Sequence, residues 1–110
     1  MPQNRLFAAP DVPDALAGRL YKTLKVGMIK GGTLVDRFKI AKEAGFKGVE
    51  MGFPGQDIEE TKKAIAESGL PVDGSVCGSH WKIRHTSPDA GTRLQALEDL
   101  KQALRDTHAV

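Results

Sequence analysis

Several features that define other protein classes are scarce in this sequence. It has a single cysteine, Cys77, which excludes an internal disulfide and suits a reducing compartment. Its 16 basic and 14 acidic residues leave a net charge of +2, and no long run of like charge indicates nucleic acid or a membrane surface as a partner. No stretch reaches the roughly 20 apolar residues that cross a bilayer. These absences favour a protein with no disulfide, no nucleic-acid partner and no membrane span.

The first 23 residues have no regular pattern. Proline and aspartate at positions 10, 11, 13 and 14 interrupt the apolar run that a signal peptide needs, which favours a cytoplasmic location. We interpret residues 1–23 as an irregular lead-in that includes one helical turn near residues 15–21. Residues 24–110 then carry the ordered pattern and form one domain.

Three short, apolar-weighted runs in this domain are bounded by Gly or Pro and predict strands at residues 24–29, 46–52 and 72–78. A helix follows each strand. Thr33, with Asp36 three residues later, predicts the start of the first helix, and Gly45 predicts its end. Asp57 and Gly69 mark the start and the end of the second helix in the same way.

The third helix is predicted to begin at Ser87, which is followed by a proline at the first helical position. Apolar residues then recur at helical spacing. They predict the apolar stripe of this helix at Leu94, Ala96, Leu97, Leu100, Ala103 and Leu104.

Alternating strands and helices imply an α/β fold with parallel strands and right-handed crossovers. Crossovers of one hand put all the helices on one face of the sheet, so we expect the other face to be apolar and uncovered. A closed barrel solves this problem, because its inner face packs on itself. At roughly 30 residues per unit, in a fold of about 250 residues, the three units predict a partial TIM (β/α)8 barrel that ends before strand four. The alternative is a self-contained α/β domain of three units that dimerises through its open edge.

Two strings resemble the xylose-isomerase-like TIM-barrel superfamily, and within it the sugar-phosphate isomerases/epimerases. The first is AKEAGFKGVEM, which joins the first helix to the second strand, and the second is SVCGSHWK at the end of the third strand. The resemblance runs from about residue 24 to residue 110. It identifies the chain as the N-terminal portion of such a barrel, without identifying a substrate.

The resemblance implies isomerisation or epimerisation of a small-molecule sugar or sugar phosphate, assisted by a divalent metal (Mn, Mg, Co or Zn). The metal polarises the carbonyl and stabilises the enediolate while carboxylates move the proton. In the family, the metal ligands and the paired carboxylates come mainly from later strands. We therefore expect a fragment of an enzyme that is inactive alone and binds no metal or other cofactor itself.

Two other functions stay open. One is an endonuclease-IV-like phosphodiesterase, which would need a basic groove that a net charge of +2 does not supply. The other is a non-catalytic module that assembles through its open sheet into a homo-oligomer.

In a TIM barrel the working residues follow the carboxyl ends of the strands, which selects Lys30, Glu50, His80 and Trp81 as substrate-binding candidates. Glu50 matches the glutamate of the family's GVE element, which contacts sugar hydroxyls. The other interpretation of Glu50 is a structural salt bridge to Lys30 or Lys25. No catalytic residue and no metal ligand is assigned.

The other three candidates also have ordinary structural interpretations. His80 suits a hydroxyl donor, an acid or base, or a metal ligand, but a loop histidine more often bonds a backbone carbonyl. Trp81 is either a wall of the sugar pocket or a plug over the barrel. Lys30 is either a phosphate contact or a common surface lysine. Asp73 and Ser75 should share one face of the third strand, because they are two residues apart.

Overall fold

Strands and helices alternate along the chain, as predicted. The computed structural model describes residues 14–110, with strands β1 (Thr23–Lys25), β2 (Gly48–Phe53) and β3 (Val72–Cys77). The helices are α1 (Leu34–Glu43), α2 (Ile58–Ser68) and α3 (Ala90–Ala109), and 3-10 turns occupy Asp14–Leu16, Val26–Met28 and Gly78–Trp81. The order β-α-β-α-β-α is confirmed. Most of the predicted lead-in lies outside the described residues.

The three strands form one parallel sheet in the order β1-β2-β3. One hydrophobic core contains side chains from β2 and from all three helices, which places every helix on the same face of the sheet. Its largest fully buried members are Phe38 on α1 and Phe53, Met51 and Val49 on β2. Right-handed crossovers between parallel strands produce this one-sided arrangement. The molecule is therefore an α/β unit with one covered and one open sheet face.

Local hydrogen bonds at the helix ends match the predicted signals. The Thr33 hydroxyl accepts the N–H of Asp36, and the Asp36 carboxylate accepts the N–H of Thr33, so α1 begins with a complete capping box. Asp57 accepts the N–H of Glu60 at the start of α2. Gly69 ends α2 with φ +68°, a left-handed conformation that residues with a Cβ adopt only at a cost.

The first strand is shorter than predicted. Strand geometry ends at Lys25, and the Ile29 N–H donates to the Val26 carbonyl to close a 3-10 turn. Val26 and Ile29 are nevertheless both buried in the core. The apolar pattern therefore predicted burial correctly and strand length incorrectly, because a single turn can bury the same residues.

The predictions for the third helix were wrong on two points. Asp89, and not Ser87, caps α3, because its carboxylate accepts both the N–H and the hydroxyl of Thr92 at 2.7 and 2.8 Å. Within the predicted stripe only Ala96 and Ala103 are buried. The four leucines of the stripe remain between 36% and 63% exposed, at Leu94, Leu97, Leu100 and Leu104. Ala96 and Ala103 face the sheet, so the leucines lie on the flank and the outer side of the helix.

A bulge in β3 overturns the prediction that Asp73 and Ser75 share a face. Val49 pairs with Val72 but Glu50 pairs with Gly74, so Asp73 is an extra residue that shifts the alternation. The Ser75 hydroxyl bonds that of Thr107 on α3, 2.5 Å away. The Asp73 carboxyl instead fills the space beside Gly48, where a Cβ would lie 2.7 Å from it.

No helix between residues 14 and 110 is both long enough and apolar enough to cross a bilayer.

Candidate functional site

The open face of the sheet is built by the residues of β2 that alternate with the core. Val49, Met51 and Phe53 are buried under the helices, whereas Glu50 and Gly52 point to the opposite side. Strand pairing puts Lys25 beside Glu50 on β1, and Gly74 beside Glu50 on β3. The expectation that this face is apolar therefore holds for most of the pocket lining, with the Lys25–Glu50 ion pair as the exception at its centre.

A shallow pocket of about 250 Å³ opens on this face towards the carboxyl ends of the strands. Its lining combines the end of β1 and the turn after it with β2 and β3, at Lys25, Val26, Gly27, Met28, Glu50, Met51, Gly52 and Val76. The volume lies just below the ~300–1,000 Å³ of ordinary ligand sites, so the pocket fits part of a ligand and not a whole one. Carboxyl ends of parallel strands are the usual location of sites in α/β folds.

Glu50 supplies the distinctive chemistry of this pocket. Its Oε1 atom is buried and accepts no hydrogen bond from any donor within residues 14–110. The nearest cation, the Lys25 ammonium, is 3.7 Å from Oε1, and the two side chains are 60% and 30% exposed. An ion pair this open contributes at most about 1 kcal/mol, whereas leaving a buried acceptor unpaired costs about 1–3 kcal/mol. A hydroxyl or ammonium group of a ligand would remove that cost once the Glu50 side chain rotates to bring Oε1 to the surface of the pocket.

His80 lies in the 3-10 turn that follows β3. Its Nδ1–H donates to the Cys77 carbonyl, so the backbone-bonded interpretation of this histidine is the one that the geometry matches. This bond leaves Nε2 as the unprotonated nitrogen of the neutral ring. The ring packs against Trp81 with centroids 4.6 Å apart, and Trp81 itself is 72% exposed. The indole therefore covers His80 and forms no wall of the Glu50 pocket.

The four predicted site residues do not converge. Lys30 is exposed and forms no salt bridge within residues 14–110, and neither it nor His80 nor Trp81 lines the pocket around Glu50. Of the two lysines considered as partners for Glu50, Lys25 is the one in place. Sequence reasoning did not select Met28 and Val76, whose apolar side chains line the same pocket, because the register that brings β3 beside Glu50 is not visible in a single sequence.

The described residues do not assemble a metal centre. Nowhere in residues 14–110 do three or more His, Cys, Asp or Glu side chains meet with the geometry of a metal site. Glu50 is the single acidic residue of its pocket. Metal chemistry is therefore assigned to no residue of this part of the chain.

A larger groove, of about 560 Å³, lies between α1 and α2 on the covered side of the molecule. Its charges are mixed and several are already paired, since Glu67 contacts Lys39 at 3.6 Å and Lys63 at 3.9 Å. Asp36 is occupied with the capping box of α1. Volume alone favours this groove, but the unsatisfied acceptor and the position at the strand ends favour the pocket around Glu50.

Comparison with known proteins found no protein-family model and no curated protein that matches this sequence. The resemblance to xylose-isomerase-like barrels therefore stays a prediction, whereas the α/β fold with a parallel three-stranded sheet is established by the structure.

Proposed function

We propose that this chain forms the first three βα units of a TIM (β/α)8 barrel, and that its open sheet face lines the interior of that barrel. In this proposal the pocket around Glu50 binds hydroxyl groups of a sugar or sugar phosphate in an isomerase or epimerase located in the cytoplasm. The single observation that carries the proposal is the buried Oε1 atom of Glu50, which no donor in residues 14–110 satisfies.

The topology supports the barrel part of this proposal. The strand order β1-β2-β3 follows the chain without a reversal, and the helices occupy one face only. Doubly wound sheets reverse their strand order and carry helices on both faces, whereas barrel strands succeed one another around the ring. A charged pair on the open face also fits a barrel interior better than it fits an interface with another apolar layer.

The chemistry around Glu50 supports a polyol as the ligand. A carboxylate accepts hydrogen bonds from hydroxyl groups, while Met28 and Val76 offer apolar surface to the C–H groups of a sugar. Lys25 would stabilise negative charge, such as that of a phosphate or of an enediolate, close to Glu50. Hydrogen bonding by Glu50, apolar contact with Met28 and Val76, and charge stabilisation by Lys25 together bind and orient a substrate.

The divalent metal (Mn, Mg, Co or Zn) that the resemblance implies has no site among the described residues. We therefore derive no step through a metal here. In a complete barrel its ligands, and the carboxylates that move the proton, would come from further strands.

Nuclear magnetic resonance spectroscopy can test this proposal on the 110-residue chain. D-fructose 6-phosphate would be titrated into the labelled protein while the backbone amide signals are followed, with inorganic phosphate as a parallel titration. We expect the amides of Glu50, Gly52 and Val76 to shift with the sugar phosphate more than with phosphate alone. The amides of α2, on the covered side, should stay unchanged.

Two variants sharpen the result. Glu50→Gln preserves the size of the side chain and removes the charge, so its open-face shifts should largely disappear. Glu59→Gln makes the same change on α2, where the side chain is 82% exposed, and should leave them intact. Sugar-dependent shifts confined to the helices, or equal shifts in both variants, would refute a hydroxyl-binding site at Glu50.

A second candidate function is the non-catalytic module that assembles through its open sheet. The observation that favours it is that β1 and β3 each have only one strand partner within residues 14–110. Concentration-dependent shifts of the β3 amides without any sugar would favour this module.

A further inference from the structure

Gly52 leaves the open face of the central strand without a side chain next to Glu50. It lies two residues beyond Glu50 on β2, about 6.6 Å along the strand at roughly 3.3 Å per residue, and it lines the same pocket. A glycine inside a strand weakens that strand, because its backbone loses more conformational freedom on folding and no side chain packs on the neighbouring strands. A glycine in the central strand of a sheet therefore needs a physical reason.

Neither the backbone nor the packing of residues 14–110 supplies that reason. The φ angle of Gly52 is not positive, unlike that of Gly69 at the end of α2. A Cβ at position 52 would meet no atom of these residues within 4 Å, whereas at Gly48, on the same strand, it would lie 2.7 Å from the Asp73 carboxyl. The space over Gly52 is therefore open, and it belongs to the pocket around Glu50.

The side chains around this space divide the pocket into a polar part and an apolar part. Of the eight lining residues only Lys25 and Glu50 have polar side chains, and the strand register pairs these two with each other. The register places Val76 of β3 beside Gly52, and Met28 belongs to the turn after β1. A ligand hydroxyl over Gly52 would find no side-chain hydrogen-bond partner, and burying an unpaired hydroxyl is unfavourable. A C–H group needs no such partner.

We infer that Gly52 sets the size and the orientation of the sugar that the pocket accepts, because it lets the carbon skeleton lie directly on the backbone of β2. This inference rests on the function proposed for Glu50, which binds hydroxyl groups at the other end of the same ligand. The ligand class is then a sugar phosphate that extends from Glu50 to Gly52 and turns C–H groups, rather than a hydroxyl, towards Gly52. Close approach of a ligand to the backbone is a recurring reason for glycine within a strand.

Calorimetric titration of D-fructose 6-phosphate into matched glycine variants tests this inference. Gly52→Ala adds one methyl group to the open space over β2 and should raise the dissociation constant about tenfold or more, as one carbon too many in a pocket usually does. Gly52→Val should raise it further. Gly74→Ala is the matched control and should leave the constant unchanged, because Gly74 lies on the same face with open space over it but does not line the pocket. Its position directly after the bulged Asp73 gives Gly74 a reason that involves no ligand.

Glycerol 3-phosphate distinguishes a size limit at Gly52 from damage to Glu50. It offers hydroxyl groups to Glu50 and a phosphate to Lys25, but its skeleton is too short to extend to Gly52 as well. Gly52→Ala should therefore leave its dissociation constant unchanged, whereas Glu50→Gln should weaken the binding of both ligands. Melting temperatures check the fold, and both alanine variants should melt no lower than the wild type, because alanine restricts the unfolded chain more than glycine does.

If Gly52→Ala binds D-fructose 6-phosphate as tightly as the wild type while Glu50→Gln binds it more weakly, this inference is wrong and the function proposed for Glu50 stands. Equal losses in Gly52→Ala and Gly74→Ala, or equal losses for both ligands in Gly52→Ala, would also overturn it, because neither result indicates a size limit at position 52. A lower melting temperature of Gly52→Ala would contradict the open space over the strand. A wild-type chain that binds neither ligand would overturn the inference together with the function on which it rests.

Discussion

Two neighbouring residues on α3 should differ in how substitution changes the stability of the fold. Adding a leucine at the buried alanine should destabilise it more than removing the exposed leucine. Ala103 is 3% exposed and packs in the core, whereas Leu104 is 63% exposed. Adding the extra carbons of leucine at position 103 overpacks a filled site and should destabilise the fold by about 1–3 kcal/mol. Removing the leucine at position 104 should lower stability by less than about 1 kcal/mol, because full burial of a leucine is worth only about 1.5–3 kcal/mol.

Urea unfolding followed by circular dichroism measures both effects, and low protein concentration keeps self-association out of the result. With an m-value of about 2 kcal/mol/M, Ala103→Leu should lower the midpoint by about 0.5–1.5 M, and Leu104→Ala by about 0.5 M or less. Ala66→Leu is the control, since this alanine is exposed on α2 and should tolerate leucine. If Ala103→Leu is neutral while Leu104→Ala unfolds the chain, α3 packs on the sheet through its leucines and the described orientation is wrong.

Three further results are expected. Hydrogen bonds from the backbone N–H of Thr92 and, to a smaller extent, from its hydroxyl lower the pKa of Asp89 below its ordinary value of 3.8. The charged cap therefore stabilises the fold above pH 3.8, and this stabilisation is lost as the pH falls through the lowered pKa. Asp89→Ala should therefore have a lower melting temperature than the wild type at pH 7, and the gap between the two should narrow below about pH 4. A gap that stays constant with pH would contradict the role of the charge. Gly69→Ala should cost about 1 kcal/mol in urea unfolding, because φ is +68° there, and Gly69→Asn should cost less; equal stability of all three would contradict a left-handed cap. The 110-residue chain alone should not interconvert an aldose and a ketose, because the pocket of Glu50 contains no second carboxylate to share the proton transfer, and measured turnover that Glu50→Gln abolishes would refute this.

The helix ends could be predicted because their determinants are local. The Thr33–Asp36 box and the left-handed Gly69 each depend on residues within four positions, so the sequence alone specifies them. The orientation of α3 is different, because it depends on how closely the helix approaches the sheet. Ala96 and Ala103 permit the close approach, and no count of apolar residues indicates that small side chains rather than leucines face the core.

Only part of the candidate site could be predicted from the sequence. Alternation along β2 places Glu50 opposite the core, and the strand-end rule selects it as a functional residue. Its partner follows from the register between β1 and β2, which pairs Lys25 with Glu50 and which a single sequence does not provide. His80 and Trp81 lie in a turn where a backbone hydrogen bond and a ring contact hold them outside the pocket. The strand-end rule selects positions along the chain and does not predict these local contacts.

Calorimetric titration of D-fructose 6-phosphate into the wild-type chain and into Glu50→Gln tests the central claim most directly. A hydrogen bond from a ligand hydroxyl to a charged acceptor contributes about 1.5–3 kcal/mol. At about 1.4 kcal/mol for each factor of ten, Glu50→Gln should therefore bind about tenfold more weakly or worse. Dissociation constants that agree within about twofold, or a wild-type chain that does not bind the sugar phosphate, would contradict the assignment of the Glu50 pocket as a hydroxyl-binding site.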